Sequence, residues 1–438
     1  MIKCPDRFEP ATMSHDARAR LTELRRAFHR HPEPGWREFR TTARVVEELE
    51  RIGVDEIAIG REALATDERM AVPDDDEIRP WLDRARRAGV SDDLLDRTAG
   101  GHTGVVATLS QGEGPCIGLR VDLDAISIGE SAEDDHRPAS EGFRSEHEGY
   151  MHACGHDAHL AIALGTLDAV SESAFEGTVK VFFQPAEELS GGGKAMAESG
   201  HLDGVDYLFA LHVGLGHPTG EVVAGVESPL AMAHLTATFE GASAHAGKAP
   251  NEGANAMQAA AVAIQNAYGI PRHRDGATRV NVGRIEGGSA SNVIAEEVTI
   301  EAEVRGETTA LMTYARTELE RVLYAAAELH DCDVTPHVIS ESPCVDSHPA
   351  LREVVGNVAW DTDGVERVIP TEEFGASEDG TYLMQRVQDA GGLASYVLVG
   401  TDHPTSHHTP TFDIDEASLD IGVSLLSDTI VELSRRRP

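Results

Sequence analysis

The chain has 438 residues, of which 41% are hydrophobic, so it is long enough to form two domains with separate cores. Its 75 acidic and 37 basic residues give a formal net charge of −38, which argues against binding to nucleic acids or anionic membranes. Lysine occurs only at positions 3, 180, 194 and 248. Many carboxylates with so little lysine indicate a salt-adapted, halophilic protein, with an ordinary acidic enzyme as the alternative.

No apolar run approaches the roughly 20 residues that a membrane span needs, and the first residues lack the pattern of a signal peptide. We therefore expect a cytoplasmic protein. The five cysteines are odd in number and scattered, which argues against a disulfide framework.

The first half of the chain alternates helices and strands. From Asp16 to Arg51, apolar residues recur at the three- and four-residue spacing of helices, interrupted by two prolines. Short strands are then predicted at residues 104–109, 116–123, 177–184 and 207–213. An apolar helix separates the second strand from the third. This alternation predicts an α/β domain with a mixed, mostly parallel sheet flanked by helices, whose ligands collect at the carboxyl ends of the strands.

Past Pro229 the pattern changes to strand, helix, strand, strand, helix and strand. This β-α-β-β-α-β order predicts an inserted, ferredoxin-like α+β domain. From about Pro343 the α/β pattern returns. We expect the larger domain to comprise residues 14–226, with a charged surface insert at 60–100, and residues 343–438; the inserted domain is expected at 227–342.

The stretch "HACGHDAH" brings a thiol and imidazoles together at the start of a helix. Cys154 and His156 are one residue apart on a turn, so both can face a metal ion. Gly155 between them lets the backbone approach closely. A reactive Cys/His pair and ordinary packing remain the alternatives for this stretch taken alone.

Further candidate ligands follow other predicted strands. Glu187 and Glu188 come after an apolar strand, where one carboxylate can bind a metal while its neighbour moves a proton; a solvated loop is the alternative. His212 ends the next strand, and the pair 407–408 precedes a Thr-Pro turn. Asp124 and the aspartate two residues before it share one face of a strand, where one of them can orient a ligand histidine.

Together these residue types favour zinc or manganese over calcium or magnesium, because the ligands mix nitrogen, sulfur and oxygen. More than four candidate ligands indicate two metal ions, and such centres hydrolyse amides, esters or phosphates.

The chain resembles the M20 metallopeptidases and amidohydrolases, in the branch that cleaves N-acyl amino acids. The resemblance runs nearly end to end through eight ordered blocks: "FHRHPEPGWREFRTT", "LRVDLDA", "MHACGHDAH", "FQPAEE", "SAHAGKAPNEGANA", "VNVGRIEGGSASNVI", "GASEDGTYLM" and "HHTPTFDIDE". It implies a zinc-exopeptidase-like catalytic domain with an inserted dimerisation or lid domain.

The same resemblance implies roles for individual residues. Two divalent ions, Mn²⁺ or Zn²⁺, would be bound by five ligands, with the thiolate shared between the ions: Cys154, His156, Glu188, His212 and His408. Glu187 would be the general base and then the acid, and Asp124 would orient a ligand. His245 would help to hold the charge developing on the scissile carbonyl, reaching the site of the opposite protomer. Asn292 and Arg305 would bind the substrate carboxylate.

The segment at 60–100 is absent from most hydrolases of this branch but resembles that of enzymes that act on p-aminobenzoyl-glutamate. The resemblance therefore implies cleavage of that compound to p-aminobenzoate and glutamate. A second cation would be needed for the glutamate side chain, with candidates at Lys248, Arg272, Arg274 and Arg284.

Other interpretations stay open. The substrate could instead be a general N-acyl-L-amino acid or an indole-acetyl amino acid. Cys154 could be the nucleophile of a thiol amidase. The chain could also be a non-catalytic, carboxylate-binding partner of another chain, because the resemblance is compatible both with a homodimer and with a heterodimer that contains a related chain.

Overall fold

The computed structural model describes residues 14–435. Its strands are β1 (Glu56–Ile59), β2 (Val105–Gln111), β3 (Cys116–Asp122), β4 (Gly177–Gln184), β5 (Tyr207–Val213), β6 (Glu221–Val223), β7 (Val226–Glu227), β8 (Ala231–Glu240), β9 (Thr278–Gly287), β10 (Glu297–Gly306), β11 (Asp333–Ser342), β12 (Arg367–Ile369), β13 (Glu372–Glu373) and β14 (Leu393–Val399).

The helices are α1 (His15–Arg30), α2 (Phe39–Ile52), α3 (Asp75–Arg87), α4 (Asp92–Arg97), α5 (Arg137–Ser140), α6 (His156–Ser171), α7 (Gly193–Ala197), α8 (Ala256–Ala267), α9 (Thr309–Leu329), α10 (Pro349–Asp361), α11 (Thr381–Asp389) and α12 (Ala417–Ser434). None of the helices in the described part of the chain is long and apolar enough to cross a membrane.

The described residues form two compact units. The larger unit contains the chain up to Glu227, the segment Val345–Glu373 and the chain from Gly380 onward. The smaller unit contains Ser228–Cys344 and the short segment Phe374–Asp379.

The larger unit is built on an eight-stranded sheet in the order β1-β2-β4-β3-β5-β14-β6-β12. The four central strands, from β4 to β14, run parallel, while β1, β2 and β6 pair antiparallel with their neighbours. Strand β5 is buried along its whole length, as expected for a strand covered on both faces. Helix α6 packs against α1, α2 and α12. This mixed sheet with its helices confirms the predicted α/β fold class.

The smaller unit has a four-stranded antiparallel sheet in the order β11-β8-β10-β9. Alternate residues of β8, including Leu235, Ala237 and Phe239, are buried in a core shared with α8 and α9. The chain order β8-α8-β9-β10-α9-β11 is the predicted ferredoxin-like order, so the predicted α+β insertion is confirmed.

The segment at 60–100 carries α3 and α4, whose Ile78, Trp81, Ala85 and Leu95 form a small core together with Phe39 of α2. Its first part also bonds to the loop that follows β4. The amide of Ala65 donates to the carbonyl of Ala195, and the amide of Met70 donates to that of Gly191. This part of the segment therefore lies against the loop that carries Glu187 and Glu188.

Candidate metal centre

The turn before α6 places the thiol and the first imidazole. Gly155 has φ +87°, and a Cβ added there would lie 2.5 Å from the side chain of Val213, so glycine is required for conformation and for space. Cys154 and His156 flank this glycine and are both buried. His212 lies near the end of β5, with its Nε2 3.4 Å from the Cys154 Sγ. The turn and the strand end thus bring a thiol and two imidazoles together.

Hydrogen bonds fix the orientation of both imidazoles. The Nδ1 of His156 lies 2.8 Å from the backbone carbonyl of Asp124, and the Nδ1 of His212 lies 2.8 Å from the carbonyl of Val213. Since a carbonyl only accepts, each Nδ1 carries a proton, so in the neutral imidazole the lone pair is on Nε2 and available to a ligand. The Nε2 of His156 is buried and has no hydrogen-bond partner among the described residues. An acceptor nitrogen oriented by a backbone carbonyl is the arrangement of a metal-ligating histidine.

Glu187 and Glu188 stand on a short 3-10 turn that follows β4. Their backbone amides donate to the two carboxylate oxygens of Asp124, each over 3.1 Å. Asp124 is fully buried and therefore holds both glutamates in place, in addition to orienting His156 through its carbonyl. The carboxylates of Glu187 and Glu188 lie 3.8 and 4.0 Å from the His156 Nε2.

His408 approaches from the segment before α12. Its backbone has φ +59°, and its amide donates to the carbonyl of Ala153. This geometry places the His408 Nε2 3.4 Å from the Glu188 carboxylate. The neighbouring His407 instead donates from Nε2 to the carbonyl of Val213, over 3.2 Å. The structure thus brings His408 to Glu188, whereas His407 is used for packing.

These groups form overlapping sets whose ligand atoms lie within 4.8 Å of one another. One set is Cys154, His156 and His212, and another is Cys154, Glu188 and His408. Burial, and then the Glu188 carboxylate, raise the pKa of the Cys154 thiol. Burial, and then the neighbouring His159, lower the pKa of His212, so its imidazole is neutral. Converging imidazoles, a thiol and carboxylates fit divalent metal ions, which would relieve the crowding of acids, ionise the thiol and favour the unprotonated imidazoles.

A buried pair behind the ligands has a positioning role that the sequence did not identify. The Nδ1 of His159 donates to Asp122 over 3.0 Å, and its Nε2 accepts from the Val213 amide over 3.0 Å. Both nitrogens are therefore occupied, although His159 lies beside His156. Arg120 lies 2.5 Å from the other oxygen of Asp122. The arginine within the apolar run "CIGLRVDL" was the available signal, because a buried arginine requires an acidic partner.

A second buried network supports the start of α6 from α1. Arg25 is fully buried and pairs with Asp157 over 2.7 Å and with Asp413 over 2.8 Å. His29, one turn later, bonds to Asp157 over 2.8 Å and to Glu130 over 2.9 Å. Since Asp157 directly follows His156, this network fixes the helix end that presents the imidazole.

The three residues proposed from the resemblance to contact substrate lie in the smaller unit. His245 and Asn292 are exposed and close to each other, because the amide of Ala246 donates to the Asn292 carbonyl over 3.0 Å. Arg305 lies on β10, where its Nε and Nη2 bond to the two oxygens of Glu303 over 2.6 and 3.1 Å. A substrate carboxylate would therefore have to share Arg305 with Glu303.

The fold and the candidate metal centre are those of a metal-dependent hydrolase, and comparison with known proteins identifies the family. The chain matches the model of peptidase family M20/M25/M40 over residues 118–432 and belongs to that family. It is therefore a hydrolytic enzyme of the peptidase and amidohydrolase type. The predicted family and the predicted enzyme class are both confirmed.

Similar proteins are named by their activities. An indole-3-acetyl-aspartic acid hydrolase of Enterobacter agglomerans is 38% identical over 95% of this chain and 96% of that protein. One of the subunits of the p-aminobenzoyl-glutamate hydrolase of Escherichia coli K12 is 39% identical over 94% of this chain and 95% of that protein. The crystal structure of an aminobenzoyl-glutamate utilization protein from Klebsiella pneumoniae superimposes with a TM-score of 0.82 at 32% identity, covering 97% of this chain and 98% of that one.

Proposed function

We propose that the chain hydrolyses the amide bond of an N-acyl amino acid with an aromatic acyl group and an acidic amino acid, with p-aminobenzoyl-glutamate as the first candidate. The observation that carries the proposal is the convergence of a thiol, imidazoles and carboxylates at the carboxyl ends of β3, β4 and β5. The names of two relatives support this class of substrate, since one is named for an aspartate conjugate and the other for a glutamate conjugate.

Five residues would hold two divalent metal ions, Mn²⁺ or Zn²⁺: Cys154, His156, Glu188, His212 and His408. Two separate ligand sets share Cys154, so its thiolate would be available to both ions. When bound, the ions would polarise the amide carbonyl and make water acidic enough to be deprotonated at neutral pH.

Glu187 moves the protons. Its carboxylate lies 3.8 Å from the His156 Nε2 and keeps 14% of its side chain exposed, so it faces the site and remains accessible. It takes a proton from the attacking water as the new C–O bond forms, and returns it to the nitrogen as the C–N bond breaks. The products are a carboxylic acid and the free amino acid. Asp124 does not touch the substrate; it fixes Glu187 through the backbone.

Residues of the smaller unit would bind the rest of the substrate. Asn292 and Arg305 would hold its α-carboxylate, and His245 would stabilise the charge on the carbonyl oxygen, from the opposite protomer of a dimer. The partner would be a second copy or a related chain, since the Escherichia coli relative is named as one of the subunits of its hydrolase. A salt-adapted cytoplasm would be the setting that suits a net charge of −38.

The test measures release of p-aminobenzoate from p-aminobenzoyl-glutamate by chromatography, in about 2 M KCl with added Mn²⁺ or Zn²⁺. Wild-type protein is expected to release it, and Glu187→Gln is expected to lose at least about a hundredfold in kcat. The matched control is Glu198→Gln, an exposed glutamate on the same loop region, which keeps wild-type activity.

Three results would contradict the proposal. Wild-type turnover by Glu187→Gln would remove the assigned base. Activity that resists chelators but is abolished by iodoacetamide would favour a thiol amidase with Cys154 as nucleophile. Bound metal without turnover of p-aminobenzoyl, indole-acetyl, acetyl or benzoyl amino acids would favour a non-catalytic partner chain.

A further inference from the structure

Two arginines lie close together in the segment that bonds to the catalytic loop, and neither has a carboxylate partner among the described residues. Arg61 and Arg69 both lie in the first part of the segment at 60–100, which bonds to the loop after β4. No carboxylate of residues 14–435 lies within 4.0 Å of either guanidinium. Two neighbouring guanidinium groups without a carboxylate form a local region of positive charge in a chain with twice as many acidic as basic residues.

Arg69 is held in place but not neutralised. Its Nη1 donates to the carbonyl of Gly100 over 2.7 Å, and its guanidinium carbon lies 5.2 Å from the ring centre of the buried Trp36. Its Nε is buried and has no hydrogen-bond partner in the part of the chain that the structure describes. Burial, and then the charge of Arg61, lower the pKa of Arg69 to about 10. The fold therefore keeps a cation where it is partly desolvated, an arrangement that an anion would stabilise.

Both guanidinium groups meet at Gly100. The Nη2 of Arg61 lies 3.9 Å from the position that a Cβ would take on this glycine, and the carbonyl of Gly100 accepts from Arg69. Two guanidinium groups beside one backbone segment can bind the two oxygens of a single carboxylate.

The two acidic residues that directly adjoin these arginines in the sequence are already paired. Glu62, next to Arg61, bonds to Arg97 over 2.8 Å. Glu68, next to Arg69, bonds to Lys194 over 3.0 Å. The local pairing therefore leaves the two arginines available to an incoming anion.

The backbone next to Arg69 is connected to the loop that carries the catalytic glutamates. The amide of the next residue, Met70, donates to the carbonyl of Gly191, and the amide of Gly191 donates to the carbonyl of Ala186, the residue before Glu187. Trp36, which lies under the Arg69 guanidinium, bonds through its Nε1 to the Met70 carbonyl over 2.9 Å. Two backbone hydrogen bonds thus connect Arg69 to the start of the turn that carries Glu187 and Glu188.

We propose that Arg61 and Arg69 form an anion subsite that binds the side-chain carboxylate of a dicarboxylic N-acyl amino acid. This inference rests on the proposed function and assigns residues to its preference for an acidic amino acid, because a neutral side chain has no carboxylate to place there. Two of the four cations considered from the sequence alone are already paired: Arg284 with Glu286 and Glu301, and Arg274 with Asp275.

The experiment compares p-aminobenzoyl-glutamate with p-aminobenzoyl-glutamine, which has nearly the same shape without the side-chain charge. The value of kcat/KM is measured for both with wild type, Arg69→Gln and Arg61→Gln. The control is Arg79→Gln, which removes an exposed arginine of α3 in the same segment. Wild type is expected to prefer glutamate by about 10- to 100-fold, the value of one or two charge-assisted hydrogen bonds.

In Arg69→Gln the ratio of kcat/KM for the glutamate compound to that for the glutamine compound should fall to about threefold or less, because KM for the glutamate compound rises. Arg61→Gln should lower this ratio by a smaller amount. Arg79→Gln should leave the ratio at its wild-type value. If Arg69→Gln does not fold, Arg61→Gln decides, because that side chain is exposed. Equal losses on both substrates, or an unchanged preference, overturn the subsite. A wild type that hydrolyses both substrates equally overturns the subsite alone, whereas one that hydrolyses neither overturns the proposed function.

Discussion

Replacing Asp124 by asparagine tests how the catalytic turn is held. The two carboxylate oxygens accept the amides of Glu187 and Glu188, each over 3.1 Å, and Asp124 is fully buried. Asparagine can accept only one of these amides and presents an NH₂ donor to the other. A hydrogen bond to a buried charged group contributes about 1.5–3 kcal/mol. At about 1.36 kcal/mol per factor of ten, the loss of one bond corresponds to roughly a 10- to 150-fold effect.

We expect this loss in kcat, because the displaced turn carries the proton-transferring Glu187. KM should change less than about threefold, since Asp124 does not contact substrate. Steady-state kinetics on p-aminobenzoyl-glutamate and a thermal scan measure the two effects separately. The matched control is Asp96→Asn on the exposed side of α4, which should behave as wild type. A folded Asp124→Asn protein with kcat within twofold of wild type would show that these two hydrogen bonds do not position Glu187.

Three further predictions concern stability. Arg25→Met leaves Asp157 and Asp413 buried without their cation, so it should lower the free energy of unfolding by about 3–5 kcal/mol. Chemical denaturation measures this change, and an unchanged denaturation midpoint would contradict the role of this network. Burial raises the pKa of Asp428 from 3.8 to about 6, so ionisation costs stability as the pH rises from about 4 through about 6. Asp428→Asn should therefore stabilise the protein at pH 8 by at most about 3 kcal/mol and have little effect at pH 4; the reverse order would contradict the assignment. Because the net charge is −38, Tm should rise between about 0.1 M and 2 M KCl, and a falling Tm would argue against salt adaptation.

The backbone of the site could be predicted because its ligands follow patterned elements. Strands β4 and β5 have the predicted bounds, and α6 begins at His156, one residue after the glycine that the motif required. Parallel strands place their carboxyl ends at one edge, so His212 and Glu188 could be expected to meet without knowledge of any distance. The choice of His408 over His407 depended on the resemblance, and the structure places His408 beside Glu188.

What could not be predicted depends on contacts between distant residues. Glu38 accepts the amide of Ala186 over 2.8 Å, and burial raises its pKa to about 8, yet nothing around it in sequence distinguishes it from a surface glutamate. The network of Arg25 joins residues more than a hundred positions apart. The polar composition of the segment at 60–100 predicts a charged surface insert. Only the backbone bonds to Gly191 and Ala195 reveal that part of it lies against the catalytic loop.

The most direct test of the account is an anomalous-difference map from crystals of the full chain grown with Zn²⁺ or Mn²⁺. We expect two peaks roughly 3.5–4 Å apart, both near the Cys154 Sγ, with the His156 and His212 Nε2 atoms, the Glu188 carboxylate and His408 at about 2.0–2.3 Å from an ion. Absence of anomalous density at Cys154, or ions bound elsewhere on the acidic surface, would contradict it.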